Sequence, residues 1–159
     1  MLHIYVDADA CPVKSEVYRV AERYRLSVTL VANNYMRVPG AGWLKLVVVD
    51  QGLDGADDWI VGHVEKDDIV VTGDIPLAAR CLDTGARVLG HTGRPFTPEN
   101  VGDSLATRQL LKQLREQGIM MGGPAPFSPK DRSLFLQQLD QMVQAIRRNR
   151  PAGSGPGAA

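Results

Sequence analysis

The feature that most constrains this chain is an exchange of two hydrophobic periods, repeated through residues 1–90. Five short apolar runs, rich in β-branched residues, read as strands: Leu2–Val6, Ser27–Ala32, Leu46–Val49, Ile69–Thr72 and Arg87–Leu89. Helical spacing fills the gaps. After Pro12, the stretch Val13–Arg25 carries Val13, Val17, Val20, Ala21 and Tyr24 with polar residues between. Asp54–Val64 reads as a helix with Asp54 as its N-cap. Ile75–Asp83 reads as another, with Pro76 in the first turn, where the missing N–H does no harm, and Gly85 at the stop. Strands that alternate with helices need crossover connections, so the sheet is expected to be mainly parallel, in an α/β domain. The strands show little polar alternation, as a sheet covered on both faces requires.

After Leu89 the pattern changes. Gly90–Gly102 reads as a loop and Asp103–Gln117 as a helix with Leu105, Leu110, Leu111 and Leu114. Residues 118–129 form a long uncharged loop, and Ser128-Pro129-Lys130-Asp131 opens a last helix, Asp131–Arg148. Asn149–Ala159 has no core-forming residue and reads as a disordered tail, which leaves one domain over 1–148. The balance of 18 Lys+Arg against 18 Asp+Glu excludes a uniformly basic nucleic-acid binder. It hides a polarised chain, because residues 1–100 hold 14 of the acids and 10 of the bases, and the remainder 4 and 8. Among the late cations, Arg132, Arg147, Arg148 and Arg150 lie on or just after the last helix and are candidates to grip a phosphate backbone. No apolar run is long enough to span a membrane, and Met1–Val6 meets Asp7 too soon for a signal peptide. Cys11 and Cys81 form neither a disulfide framework nor a metal pair, so a reducing, cytoplasmic setting is expected.

In an open parallel sheet, ligands bind beyond the carboxyl ends of the strands. Asp7 and Asp9 follow the first strand, Asp50 the third and Asp74 the fourth, while Asp57 and Asp58 lie in the helix after the third. Carboxylates converging on one edge repel one another, and a hard divalent cation removes that cost. Mg²⁺ or Mn²⁺ there would suit in-line attack on a phosphodiester. Each acid also has a structural reading. Asp7 and Asp9 fit a turn or the cap of the next helix, Asp74 sits where an N-cap belongs, and Asp57 and Asp58 suit the first turn of a helix. Asp50 and the pair Asp67-Asp68 read as turn residues. It is their joint placement that points to a site.

Four stretches carry a resemblance. They are Val6-Asp7-Ala8-Asp9-Ala10-Cys11-Pro12-Val13-Lys14, Gly55-Ala56-Asp57-Asp58-Trp59-Ile60, Val71-Thr72-Gly73-Asp74-Ile75-Pro76-Leu77-Ala78 and Gly123-Pro124-Ala125-Pro126-Phe127-Ser128-Pro129-Lys130-Asp131-Arg132. The chain resembles the bacterial YaiI/YqxD family over residues 1–148. That resemblance implies a three-layer α/β/α fold similar to PIN-like nuclease domains, with a mainly parallel sheet and two C-terminal helices. It implies a metal-dependent nuclease or phosphodiesterase acting on RNA or another nucleic acid. Asp7, Asp57 or Asp58, and Asp74 take the Mg²⁺ or Mn²⁺ positions, with Asp9 as a second ligand or a residue that orients water. Thr72 matches the Thr of the family turn, and Asp83 is the candidate for a further C-terminal acid. Two other classes stay open. One is a PIN-like domain that binds nucleic acid or protein without catalysis. The other is a haloacid-dehalogenase-like phosphatase, since Asp7-Ala8-Asp9 is similar to its Asp-x-Asp with Asp7 as nucleophile.

Candidate substrate contacts are Lys14 one turn past the Asp pair, Asn33 after the second strand, Thr72, and Arg94 in His91-Thr92-Gly93-Arg94-Pro95. Cys11 reads as a packed thiol, because neighbouring carboxylates raise its pKa, and Cys81 as core. His63 pairs with Trp59 at i, i+4 as half-buried packing. Trp43 and Tyr35, with Arg37, read as a satellite hydrophobic contact or a base-stacking loop.

Overall fold

The computed structural model describes residues 2–50, 52, 55–119 and 126–149. Six strands form one sheet: β1 (His3–Asp7), β2 (Ser27–Ala32), β3 (Leu44–Val48), β4 (Ile69–Val71), β5 (Arg87–Leu89) and β6 (Pro95–Phe96). Five helices accompany them: α1 (Lys14–Tyr24), α2 (Gly55–His63), α3 (Ile75–Asp83), α4 (Pro98–Glu116) and α5 (Pro129–Arg148). The strand order is β3-β2-β1-β4-β5-β6, parallel throughout except for the antiparallel β5–β6 pair.

The two faces bury different helices. Ile4 and Val6 of β1, Val28 and Leu30 of β2, and Val71 pack under Val17 and Val20 of α1 and Phe135, Leu139 and Val143 of α5. On the other face Val31, Val70 and Val88 pack under Ile60 of α2, Leu77 and Cys81 of α3, and Val101 of α4. This is the expected three-layer α/β/α architecture with two C-terminal helices. Phe135 is fully buried on α5, and burying a ring of that size contributes roughly 1.5–3 kcal/mol. Period-2 geometry then fixes the direction of the site. Tyr5 packs on the α2–α3 face, so Asp7, two residues on and paired with Val31, belongs to that same face.

Several boundaries differ from the sequence expectation. The loop expected over 90–102 contains β6 and the start of α4. α4 begins five residues early because Thr97 and Asn100 form a reciprocal capping box and Pro98 sits in its first turn. α5 likewise opens at Pro129, capped by Ser128 and Asp131. The leucines of α4 are not core: Val101 is its buried residue, and Leu110 is 55% exposed. β3 starts two residues early, at Leu44. The expected cap Asp54, Arg150 and the expected tail beyond Asn149 lie outside the described residues. Among the described residues, no helix is long and apolar enough to cross a membrane.

Candidate functional site

β1 lies at the centre of the sheet, with β2 on one side and β4 on the other. After β1 the chain crosses through α1 to β2, and after β4 it crosses through α3 to β5 on the opposite side. The carboxyl ends of β1 and β4 therefore flank the point where the strand order reverses, which is where open α/β sheets bind ligands. Asp7 ends β1 and Thr72 follows β4. The fully buried Thr72 hydroxyl donates to Asp7 Oδ2 at 2.8 Å and accepts the Asp74 backbone N–H at 2.9 Å. Asp74 in turn caps α3, its Oδ1 accepting from Leu77 N at 3.0 Å. The capping and site readings of Asp74 hold together, because a carboxylate has two oxygens. No hydrogen bond among the described residues uses Asp74 Oδ2 or Asp7 Oδ1.

Burial pushes the Asp7 carboxyl above its ordinary pKa. The Thr72 hydrogen bond opposes this, and the charges of Asp74 and Asp9 add to it. Two carboxylates of the expected set, Asp74 and Asp9, thus act on a third, Asp7. Asp9 does not cap α1, whose N-cap Val13 has no side-chain cap bond. Its Oδ2 instead accepts Asn33 N at 2.7 Å, tying the β1–α1 loop to the end of β2. The loop needs a tight turn, and Ala10 adopts φ +58° to make it. Lys14 turns its ammonium back on this loop, donating to Cys11 O at 3.0 Å and Ala8 O at 3.4 Å. It stabilises the loop that carries Asp9.

The remaining expected ligands are placed differently. Asp58 is exposed and paired with Arg80 of α3 at 3.0 Å, so its charge is directed along the helix surface. Asp57 and Asp7 both raise the Cys81 thiol, which burial pushes up to about 12. Asp83 ends α3, so the nine-residue helix carries it about 13 Å from Asp74 at 1.5 Å per residue. It is no part of the edge. Among the described residues, no three His, Cys, Asp or Glu side chains gather as a ligand set. Of the expected ligands, Asp7 and Asp74 are the two that Thr72 links at this edge, and two carboxylates with water can suffice for a Mg²⁺ ion.

A cleft of about 620 Å³ opens beside the acids, with Gly73 and Ile75 in its wall on either side of Asp74. His91, Arg94, Phe96 and Phe127 also line it. Arg94 is exposed on its rim and makes no ion pair among the described residues. The start of α5 holds this region together. Arg132 donates to Pro12 O at 2.9 Å and to the buried Glu16 at 2.7 Å, and lies 5.1 Å over the Phe127 ring. The β5–β6 turn packs onto α5 through Gly93. The Arg132 contacts with Pro12 and Glu16 carry no local signal in the sequence, since these partners are more than a hundred positions away. Two of the late cations expected at a phosphate backbone are engaged in packing: Arg132 as above, and Arg147 over the Tyr24 ring at 5.4 Å.

Of the other expectations, the cysteine readings hold, while those for His63 and Tyr35 hold only in part. Cys11 and Cys81 are buried free thiols. His63 stacks on Trp59 at 3.6 Å, although it is exposed rather than half-buried. Asp68 accepts from His3 N and Glu65 N as a turn residue. Trp43 packs edge-on to Tyr18, while Tyr35 is 80% exposed.

Comparison with known proteins matches the expectation from the motifs. A family model described as "Uncharacterized BCR, YaiI/YqxD family" covers residues 5–145. This chain belongs to the YaiI/YqxD family. A UPF0178 protein of Rhodospirillum centenum is 55% identical, over 94% of this chain and all of its own length. Another, from Parvibaculum lavamentivorans, is 56% identical over 95% of this chain and 99% of its own, and one from Nitrobacter winogradskyi is 51% identical over 97% and 98%. No solved structure matches significantly. The YaiI/YqxD match spans β1 to α5, so it contains Asp7, Thr72, Asp74 and the α5 scaffold in one unit.

Proposed function

We propose that this protein is a Mg²⁺- or Mn²⁺-dependent nuclease or phosphodiesterase acting on RNA or another nucleic acid. Asp7 and Asp74 would hold the ion. The observation that carries this reading is the Thr72 hydroxyl joining the Asp7 carboxylate to the Asp74 backbone N–H at the point where the strand order reverses. A hard ion bound there supplies positive charge to the phosphodiester and to the attacking water. The chain's own residues do the rest. Thr72 fixes Asp7 by one oxygen and leaves the other for a ligand. Leu77 N does the same for Asp74. Asp9, held by Asn33 N, keeps Oδ1 to orient a water beside the pair. Asp57 of α2 would be a further ligand, and Arg94 on the cleft rim would be the cation for the substrate phosphate. Water, not a carboxylate, is the nucleophile.

Purified protein in Mn²⁺ is expected to cleave labelled single-stranded RNA, and chelation is expected to stop it. Asp74→Asn keeps the helix cap, because an amide oxygen accepts from Leu77 N equally well. It is expected to lower the rate about 100-fold, the typical loss when one preorganised electrostatic group is removed. No cleavage of single-stranded or duplex RNA or DNA, with no metal-dependent rise in melting temperature, overturns the proposal. A beryllofluoride adduct on Asp7 would replace it with the phosphatase reading.

A further inference from the structure

We propose that the cleft beside Asp74 is a nucleobase subsite, taking the base of the nucleotide whose phosphate lies at the Asp7–Asp74 edge. This rests on the nuclease reading above and names what the enzyme would grip besides phosphate. The cleft's volume of about 620 Å³ lies within the range of small-molecule sites. Its wall is continuous with the acid edge through Gly73 and Ile75, so one ligand can reach both.

Its chemistry suits a flat heteroaromatic ring. Phe96 and Phe127 supply apolar ring surface, and Arg132 already covers the Phe127 ring from one side. Such surfaces accept any base by stacking. His91 lines the same cleft, and its Nε2 is buried with no hydrogen-bond partner among the described residues. Buried polar atoms are almost always paired, so an unpaired one beside a cleft is a place for a ligand's polar edge. Burial, assisted by the charge of Lys14, holds His91 below its ordinary pKa and so neutral at pH 7. A neutral imidazole offers one donor and one acceptor, which the edge of a base can complement. Gly73 keeps the ring in place. A Cβ there would stand 3.2 Å from His91 Cε1 and Nδ1, so the imidazole rests on bare backbone at the residue before Asp74. Arg94 is free for the phosphate on the side facing solvent.

The test is titration calorimetry of the full chain in Mn²⁺ with AMP, UMP and ribose 5-phosphate, followed by NMR of the histidine rings. At least one nucleotide is expected to bind about tenfold more tightly than ribose 5-phosphate, a difference attributable to the base alone. The His91 ring signals are expected to move with the nucleotide and not with the sugar phosphate. His91→Leu, which keeps the apolar volume, is expected to remove that preference and retain the Mn²⁺-dependent rise in melting temperature. Equal binding of nucleotides and ribose 5-phosphate by the wild type overturns the subsite, whatever the variant does. The two proposals fail separately. A Mn²⁺ response without base preference sinks the subsite alone. A base preference that persists in chelator, with no Mn²⁺ response, supports the subsite and sinks the metal-dependent nuclease.

Discussion

Asp7→Asn is expected to make the protein more stable in the absence of metal and nearly inactive in its presence. The half-buried Asp7 carboxyl sits above the ordinary value of 3.8, chiefly through desolvation, with Asp74 and Asp9 adding to the rise. A raised value means that the native state binds the proton more tightly than the unfolded chain. Stability is therefore lost as pH climbs from the unfolded value through the folded one. An amide carries no charge to desolvate, and its oxygen still accepts the Thr72 hydroxyl. Calorimetric melting at pH 7 in chelator should show a higher midpoint for the variant. That advantage should shrink to nothing as pH falls below 3.8, where both states of the wild type are protonated. Added Mn²⁺ should reverse the order, because ligand binding to the native state stabilises the wild type and not the variant. The cleavage rate should fall by about 1,000-fold, the upper end for loss of one preorganised electrostatic group. A variant less stable than wild type at every pH would show that Asp7 is a structural residue.

Gly93→Ala is expected to destabilise the fold by about 3 kcal/mol, with two causes that add. Gly93 has φ +87°, a conformation that costs an L-residue roughly 1–2 kcal/mol. Its new Cβ would also stand 2.8 Å from the Leu134 carbonyl carbon and 2.9 Å from Phe135 N. That is α5 backbone beside the fully buried Phe135, which cannot yield without lifting the helix, and overpacking of this kind costs about 1–3 kcal/mol. Urea unfolding measures the change directly, and a loss under about 0.5 kcal/mol would contradict it. The turn also lines the cleft through His91 and Arg94, so a shift in α5 should weaken nucleotide binding as well as stability.

The layers were legible in the sequence because local periodicity carries them. Five strands and the first three helices follow from apolar spacing. α4 begins earlier than its apolar spacing predicts, because its capping box uses Asn100 where Glu or Gln is the familiar signal. The acid edge was legible for Asp7, Thr72 and Asp74, since a parallel sheet brings residues after strands to one edge. The tether of Asp9 was not, because its partner Asn33 N is a contact made only once β1 and β2 pair. Asp57 and Asp58 are neighbours on a helix and so point about 100° apart, and which of them turns outward depended on Arg80, a residue of another helix. The role of α5 was hidden for the same reason. Arg132 reads as a late cation in a basic segment, while in the fold it neutralises the buried Glu16 and anchors Pro12.

Anomalous diffraction from crystals soaked in millimolar Mn²⁺ separates a metal site from a purely structural pair of acids. One ion is expected at the carboxyl ends of β1 and β4, bonded to Asp7 and Asp74 at about 2.1 Å, the distance of a hard octahedral ion. Ordered carboxylates at this edge with no anomalous peak between them would contradict it.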